Sequence, residues 1–87
     1  MKRKENYILR TVGGQQVIVP TGDEAFRFEG IININETGAL LWDTLANDVT
    51  ESDLVAAMRS EYDVDEETAI EDIRAFVATL EKAGLLE

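Results

Sequence analysis

Carboxylates dominate the residues of this chain that could do chemistry, and their spacing offers little to catalysis. Asp63, Asp65 and Glu67 alternate as ligands do in calcium loops. Such a loop also needs a glycine at its sharp turn and a late glutamate, and Thr68 occupies the glycine position. The same acids suit the first turn of a helix, where they meet the positive end of its dipole. Asp65, Glu66 and Glu67 are consecutive, so on a helix they point in different directions and do not converge on one reacting atom. Gly13-Gly14 lacks the Lys-Ser/Thr and the following helix of a phosphate loop. Trp42 could stack on a ligand, yet it falls within an apolar stripe and is expected in the core. The chain has no cysteine and no histidine. That removes thiolate chemistry, the commonest metal ligand and the commonest general base near neutral pH. No nucleophile stands beside a base. The chain is therefore expected to bind rather than convert, with no catalytic residue, no metal and no cofactor.

The elements that would position a binding surface can be read from pattern. Tyr7-Ile8-Leu9-Arg10-Thr11-Val12 is rich in β-branched and aromatic residues and reads as a strand. Gly13-Gly14-Gln15-Gln16 reads as a turn into a second strand, Val17-Ile18-Val19, closed by Pro20. After the polar stretch Thr21-Gly22-Asp23-Glu24, residues 26–34 read as a third strand. Its alternation sets Phe28, Ile32 and Ile34 on one face and Arg27, Glu29, Ile31 and Asn33 on the other. Ile31 is then an apolar residue on the side that should see water. This strand runs without a loop into a helix for which Asn35 is a good N-cap and Glu36 a favourable first-turn acid. The apolar stripe of that helix is Leu41, Trp42 and Leu45, with Leu40 on the flank.

Two further helices follow. Thr50-Glu51-Ser52-Asp53 resembles a capping box with a shortened acid, opening a helix expected to bury Leu54, Val55, Met58 and Tyr62. Asp65 caps the third helix, and Gly84 with Leu85 suits a Schellman ending. On this last helix the apolar positions from Ala69 to Ala83 span an arc of roughly 140°, wider than the ~100° that one core contact needs. The Ala69–Phe76 margin is expected to border a groove, the alternative being that Phe76 packs under the sheet. Three strands followed by three helices make residues 1–87 one compact α+β domain.

Composition narrows the partners. A hydrophobic fraction of 45% is that of a folded chain, not a disordered one. No apolar run approaches the ~20 residues that span a bilayer, and no apolar segment follows Met1-Lys2-Arg3-Lys4 as in a secretory signal. A cytoplasmic protein is expected. Eighteen acidic residues against eight basic ones give a formal charge of −10. Such a surface repels nucleic acid and anionic lipid. The one basic cluster, Lys2-Arg3-Lys4, is expected on a frayed terminus.

The hairpin over residues 7–19 leads to the run Gly30-Ile31-Ile32-Asn33-Ile34-Asn35-Glu36-Thr37-Gly38-Ala39 and then to Leu41-Trp42. Glu61-Tyr62-Asp63-Val64-Asp65, Ala69, Asp72-Ile73, Phe76-Val77, Leu80 and Gly84-Leu85-Leu86 complete the pattern. Over nearly its whole length the sequence resembles the PqqD-like family, the peptide-binding domains called RiPP recognition elements. Asn35-Glu36-Thr37-Gly38 followed by Trp42 is the most specific part of the likeness. The resemblance implies a winged-helix-like fold, a three-stranded antiparallel sheet followed by three helices. It implies a non-catalytic domain that captures the leader segment of a ribosomally made precursor peptide and presents it to a modifying enzyme, often a radical SAM protein. The leader would add as a strand to the third β-strand, whose free N–H and C=O groups can pair with it. On this chain Phe28, Glu29, Gly30, Ile31, Ile32 and Asn33 would form the pairing strand. Ala69, Asp72, Ile73 and Phe76 of the third helix would form the opposite wall, with Asp72 placed to meet a leader Lys or Arg. A second copy could cover the same strand edge and give a homodimer.

Two rivals belong to other classes. An acidic scaffold or inhibitory subunit would hold a basic protein and release it as salt rises. A DNA-binding winged helix is permitted by the fold, and the net charge opposes it.

Overall fold

In the computed structural model, which describes residues 1–22 and 32–87, the strands are β1 (Tyr7–Val12), β2 (Gln15–Pro20) and β3 (Ile32–Ile34). The helices are α1 (Glu36–Thr44), α2 (Glu51–Glu61) and α3 (Glu66–Ala83). The strands form one antiparallel sheet in the order β1-β2-β3. Gly13 and Gly14 have φ of 58° and 81°, the pair of positive values that a two-residue hairpin turn needs. The turn is thus tighter than the four residues expected, and Gln15 and Gln16 join β2. Of the expected third strand, residues 26–31 lie outside the described residues.

Register decides which side of the sheet is buried. Ile18 pairs with Leu9 on one side and Ile32 on the other, so these residues share a face with Tyr7 and Ile34. That face meets the helices. Ile18, Trp42, Leu45, Leu54, Ile73, Leu80 and Leu85 have no exposed surface, and Leu41 and Met58 almost none. Trp42 is the largest of them and joins the sheet to all three helices in one core.

Each helix starts where its cap dictates. Asn35 Oδ1 accepts from Gly38 N–H at 2.8 Å. Thr50 and Asp53 exchange both bonds of a capping box, at 3.2 and 2.9 Å, so the shorter acid completes the box. Asp65 Oδ1 accepts from Thr68 N–H at 2.8 Å. Gly84 ends α3 at φ 75°, with Leu85 N–H donating to Leu80 O and Gly84 N–H to Glu81 O, the double closure of a Schellman motif.

The hydrogen bonds from Thr68, aided by the charge of Arg59, hold the Asp65 carboxyl below its ordinary pKa of 3.8. A lowered folded pKa contributes stability that is present above the unfolded value and lost as pH falls through the folded one. Asp65→Asn keeps a capping side chain without the titration. Its unfolding midpoint is therefore expected to fall less steeply than the parent's below pH 4 (about the unfolded carboxyl pKa), while the two curves run parallel near neutrality. Parallel acid limbs in pH-dependent urea unfolding would remove Asp65 from the acid response.

Two expectations are corrected. Tyr62 is 37% exposed rather than buried. The helix ends at Glu61 and Tyr62 is extended, with φ −129° and ψ 145°, so it leaves the helical stripe. The N-terminal arm is not frayed. Arg3 N–H donates to Leu45 O at 2.9 Å, Lys4 N–H to Leu85 O at 2.8 Å and Glu87 N–H to Lys2 O at 2.8 Å, with Arg3 bridged to Leu86. The Arg3 guanidinium donates to Trp42 O at 2.8 Å and lies 5.1 Å from the centre of the Trp42 ring, a cation–π distance.

Candidate functional site

The site begins with an edge. β3 pairs with β2 through Gln16–Ile34, Val17–Asn33 and Ile18–Ile32. Among the described residues it has no partner on its other side. Ile32 and Ile34 turn their side chains to the core, and Asn33 stands exposed on the outer face. One residue later the chain enters α1, so the capped first turn holds the end of this strand in place.

Gly38, in that first turn, brings three elements together. Its backbone is helical, and its value lies in the missing side chain. A Cβ there would stand 3.1 Å from Ile34 Cβ, 3.2 Å from the Phe76 ring and 3.3 Å from Asn35 Oδ1. Glycine in a helix interior sacrifices about 1 kcal/mol relative to alanine, and this close approach of β3 and α3 to α1 is what it permits. Phe76 is half-buried, its ring lying against the glycine beside Ile34 of β3.

Beside this contact is a pocket of about 230 Å³ between α1, α2 and α3, lined by Asn35, Thr37, Gly38, Leu41, Met58, Asp72, Ala75 and Phe76. A second, more open depression is lined by Gly14, Gln15, Gln16, Asn33, Ile34, Asn35 and Glu36. Both include Asn35, so they adjoin at the strand–helix joint. Together they form a surface running from the hairpin end of the sheet, over the start of α1, to α3.

The expected site residues fall into three groups. Ile32 and Asn33 lie on β3, and Asp72 and Phe76 line the pocket. Ala69 and Ile73, expected on the same wall, have no exposed surface. They point into the core, one row of α3 behind Asp72 and Phe76, and support the wall from beneath. Phe28, Glu29, Gly30 and Ile31 lie outside the described residues. The structure adds Asn35, Thr37, Gly38, Leu41, Met58 and Ala75. Gly38 carried a usable signal, because a glycine inside a helix with no turn to make implies a close neighbour. Leu41 and Met58 carried none, since a core residue that also floors a pocket has the same spacing as any other.

Among the described residues no group of acids could hold a metal ion, and no helix is long and apolar enough to cross a membrane.

Comparison with known proteins agrees with this geometry. Residues 15–86 match the family model described as coenzyme PQQ synthesis protein D (PqqD). No curated protein sequence matches the chain. Among solved structures, TbiB1 in complex with the TbiA(beta) leader peptide superposes with a TM-score of 0.75 at 23% identity, covering 100% of this chain and 95% of that one. A lasso peptide synthetase B1 complexed with its leader peptide gives 0.71 at 23% identity, covering 97% and 93%. Both confirm the three-stranded sheet followed by three helices as an established fold.

Proposed function

Since the chain belongs to the PqqD family, we propose that it is a non-catalytic domain that captures the leader segment of a ribosomally synthesised precursor peptide. The leader adds as a strand to β3 and lies against the Asp72–Phe76 face of α3, and the domain presents it to a modifying enzyme. The observation that carries this reading is the edge of β3, unpartnered among the described residues, next to the pocket at Asn35, Gly38 and Phe76. Main-chain pairing supplies affinity in such a mode, and the pocket beside it fixes register. The similar structures named above hold leader peptides on the same fold, which supports the assignment of ligand class.

Titration of isotope-labelled protein with leader peptides of precursors encoded beside its gene tests this. Saturable amide shifts are expected at Ile32–Ile34 and along α3 around Asp72 and Phe76. They should persist in 1 M salt, where the screening length is about 3 Å, because strand pairing is not a long-range charge effect. Shifts spread over the acidic surfaces of α2 and α3 that vanish with salt would favour an acidic scaffold and overturn the proposal.

A further inference from the structure

We propose that the pocket between α1, α2 and α3 selects a lysine or arginine side chain of the bound peptide; this deepens the strand-addition reading and rests on it. One side of the pocket is apolar, and the side of α1 is polar with Asn35 and Thr37. Leu41 and Met58, almost fully covered, lie at its base, and the exposed apolar lining is Ala75 and the half-buried Phe76. Asp72 is the one charged residue lining it, exposed and, among the described residues, without an ion pair or hydrogen bond. Glu36 is the one charged residue of the adjoining depression. An aliphatic stem ending in a cation matches this arrangement, with its methylenes on the apolar side and its charge at the carboxylate.

No described cation neutralises these acids. Arg74, two residues from Asp72, is held by Glu51 through bonds of 2.8 and 3.3 Å. Arg59 donates to Val64 O. Lys82 lies ten residues along α3, or ~15 Å at the helical rise. Lys2, Arg3, Lys4 and Arg10 belong to the arm and to β1, at the far edge of the sheet.

One feature favours the opposite charge. The start of α1 borders the pocket, and a helix N-terminus carries about half a positive charge. One of its N–H groups already donates to Asn35, and two full carboxylates outweigh the remainder. An acidic side chain would be repelled here. An apolar one would leave Asp72 partly desolvated and unpaired, which is unfavourable.

The test uses a displayed library of randomised twelve-residue peptides selected against the full chain, against Asp72→Asn and against Asp72→Lys. Asp72 is exposed, so neither variant threatens the fold. Peptides selected by the parent should share one position enriched in Lys or Arg, and should bind Asp72→Asn about tenfold more weakly, as loss of a charge-assisted contact implies. Asp72→Lys should enrich Asp or Glu at that same position. A parent pool with no basic position, or the same preference selected by Asp72→Lys, overturns the inference. Amide-shift footprints of the selected peptides separate the two levels. Peptides that pair with β3 without a basic preference remove this inference alone, and peptides that leave β3 untouched remove the strand-addition reading with it.

Discussion

Trp42→Ala is expected to lower the stability of the domain by about 3–5 kcal/mol, the usual loss for a large aromatic cut out of a core. Trp42 has no exposed surface and is the largest member of the core cluster, so cutting its ring away leaves a cavity. The surroundings have little room to collapse into it, because the ring is packed between helices and under the Arg3 guanidinium. A domain of this size has a total stability toward the low end of the 5–15 kcal/mol range. The variant should therefore sit near its unfolding transition without denaturant. Trp42 is the only tryptophan of the chain, so far-UV circular dichroism in urea, rather than fluorescence, gives the comparison. A midpoint within about 0.5 M of the parent's, which corresponds to less than about 1 kcal/mol at ordinary slopes, would mean that the core does not depend on this side chain.

Gly38→Ala is expected to reverse the sign usual for its substitution. In an open helix the change stabilises by about 1 kcal/mol. Here the added Cβ meets Ile34 and the Phe76 ring at 3.1 and 3.2 Å, and relieving such overpacking typically costs about 1–3 kcal/mol. Both neighbours belong to the proposed peptide site, so leader affinity should fall about tenfold or more (roughly 1.4 kcal/mol), beyond what the stability loss explains. The double variant Gly38→Ala/Phe76→Ala identifies the cause. With the ring gone, one of the two closest contacts is relieved while Ile34 Cβ at 3.1 Å remains, so alanine at 38 should destabilise less than in the parent, giving a coupling of about 1 kcal/mol between the two sites. Additive effects would place the origin at the Ile34 contact instead.

Much of this architecture was legible because its determinants are local. Asn35, Thr50 with Asp53, Asp65, and Gly84 with Leu85 each act within a few residues, and each does what its spacing implied. The arc of the third helix, wider than a single contact needs, pointed to a margin beside a groove, with Phe76 packed under the sheet as the alternative, and Asp72 and Phe76 do line a pocket. Which residues lie in that margin was not legible. Periodicity distinguishes an apolar face from a polar one, and it does not distinguish Ile73, covered by the core, from Phe76, resting on a glycine of another helix. Tyr62 misled because a stripe was continued past the point where the helix stops. The arm misled for a different reason. Arg3 and Leu86 are at opposite ends of the sequence, and no local pattern announces that they meet.

That meeting makes the chain almost a closed ring. Arg3 and Leu86 face each other across a β-bridge, where paired Cα atoms lie about 4.5–5.5 Å apart. Lys2, Arg3, Tyr7 and Ile8 line one cavity with Ala46, so the seam lies on the β1 side of the sheet. β2 stands between β1 and β3, which at the usual strand spacing puts the open edge about 10 Å away. A larger protein could therefore carry this fold as an inserted module, with both connections leaving from one spot and little additional loop-closure entropy. The edge of β3, where the leader is proposed to add, would then face away from its host.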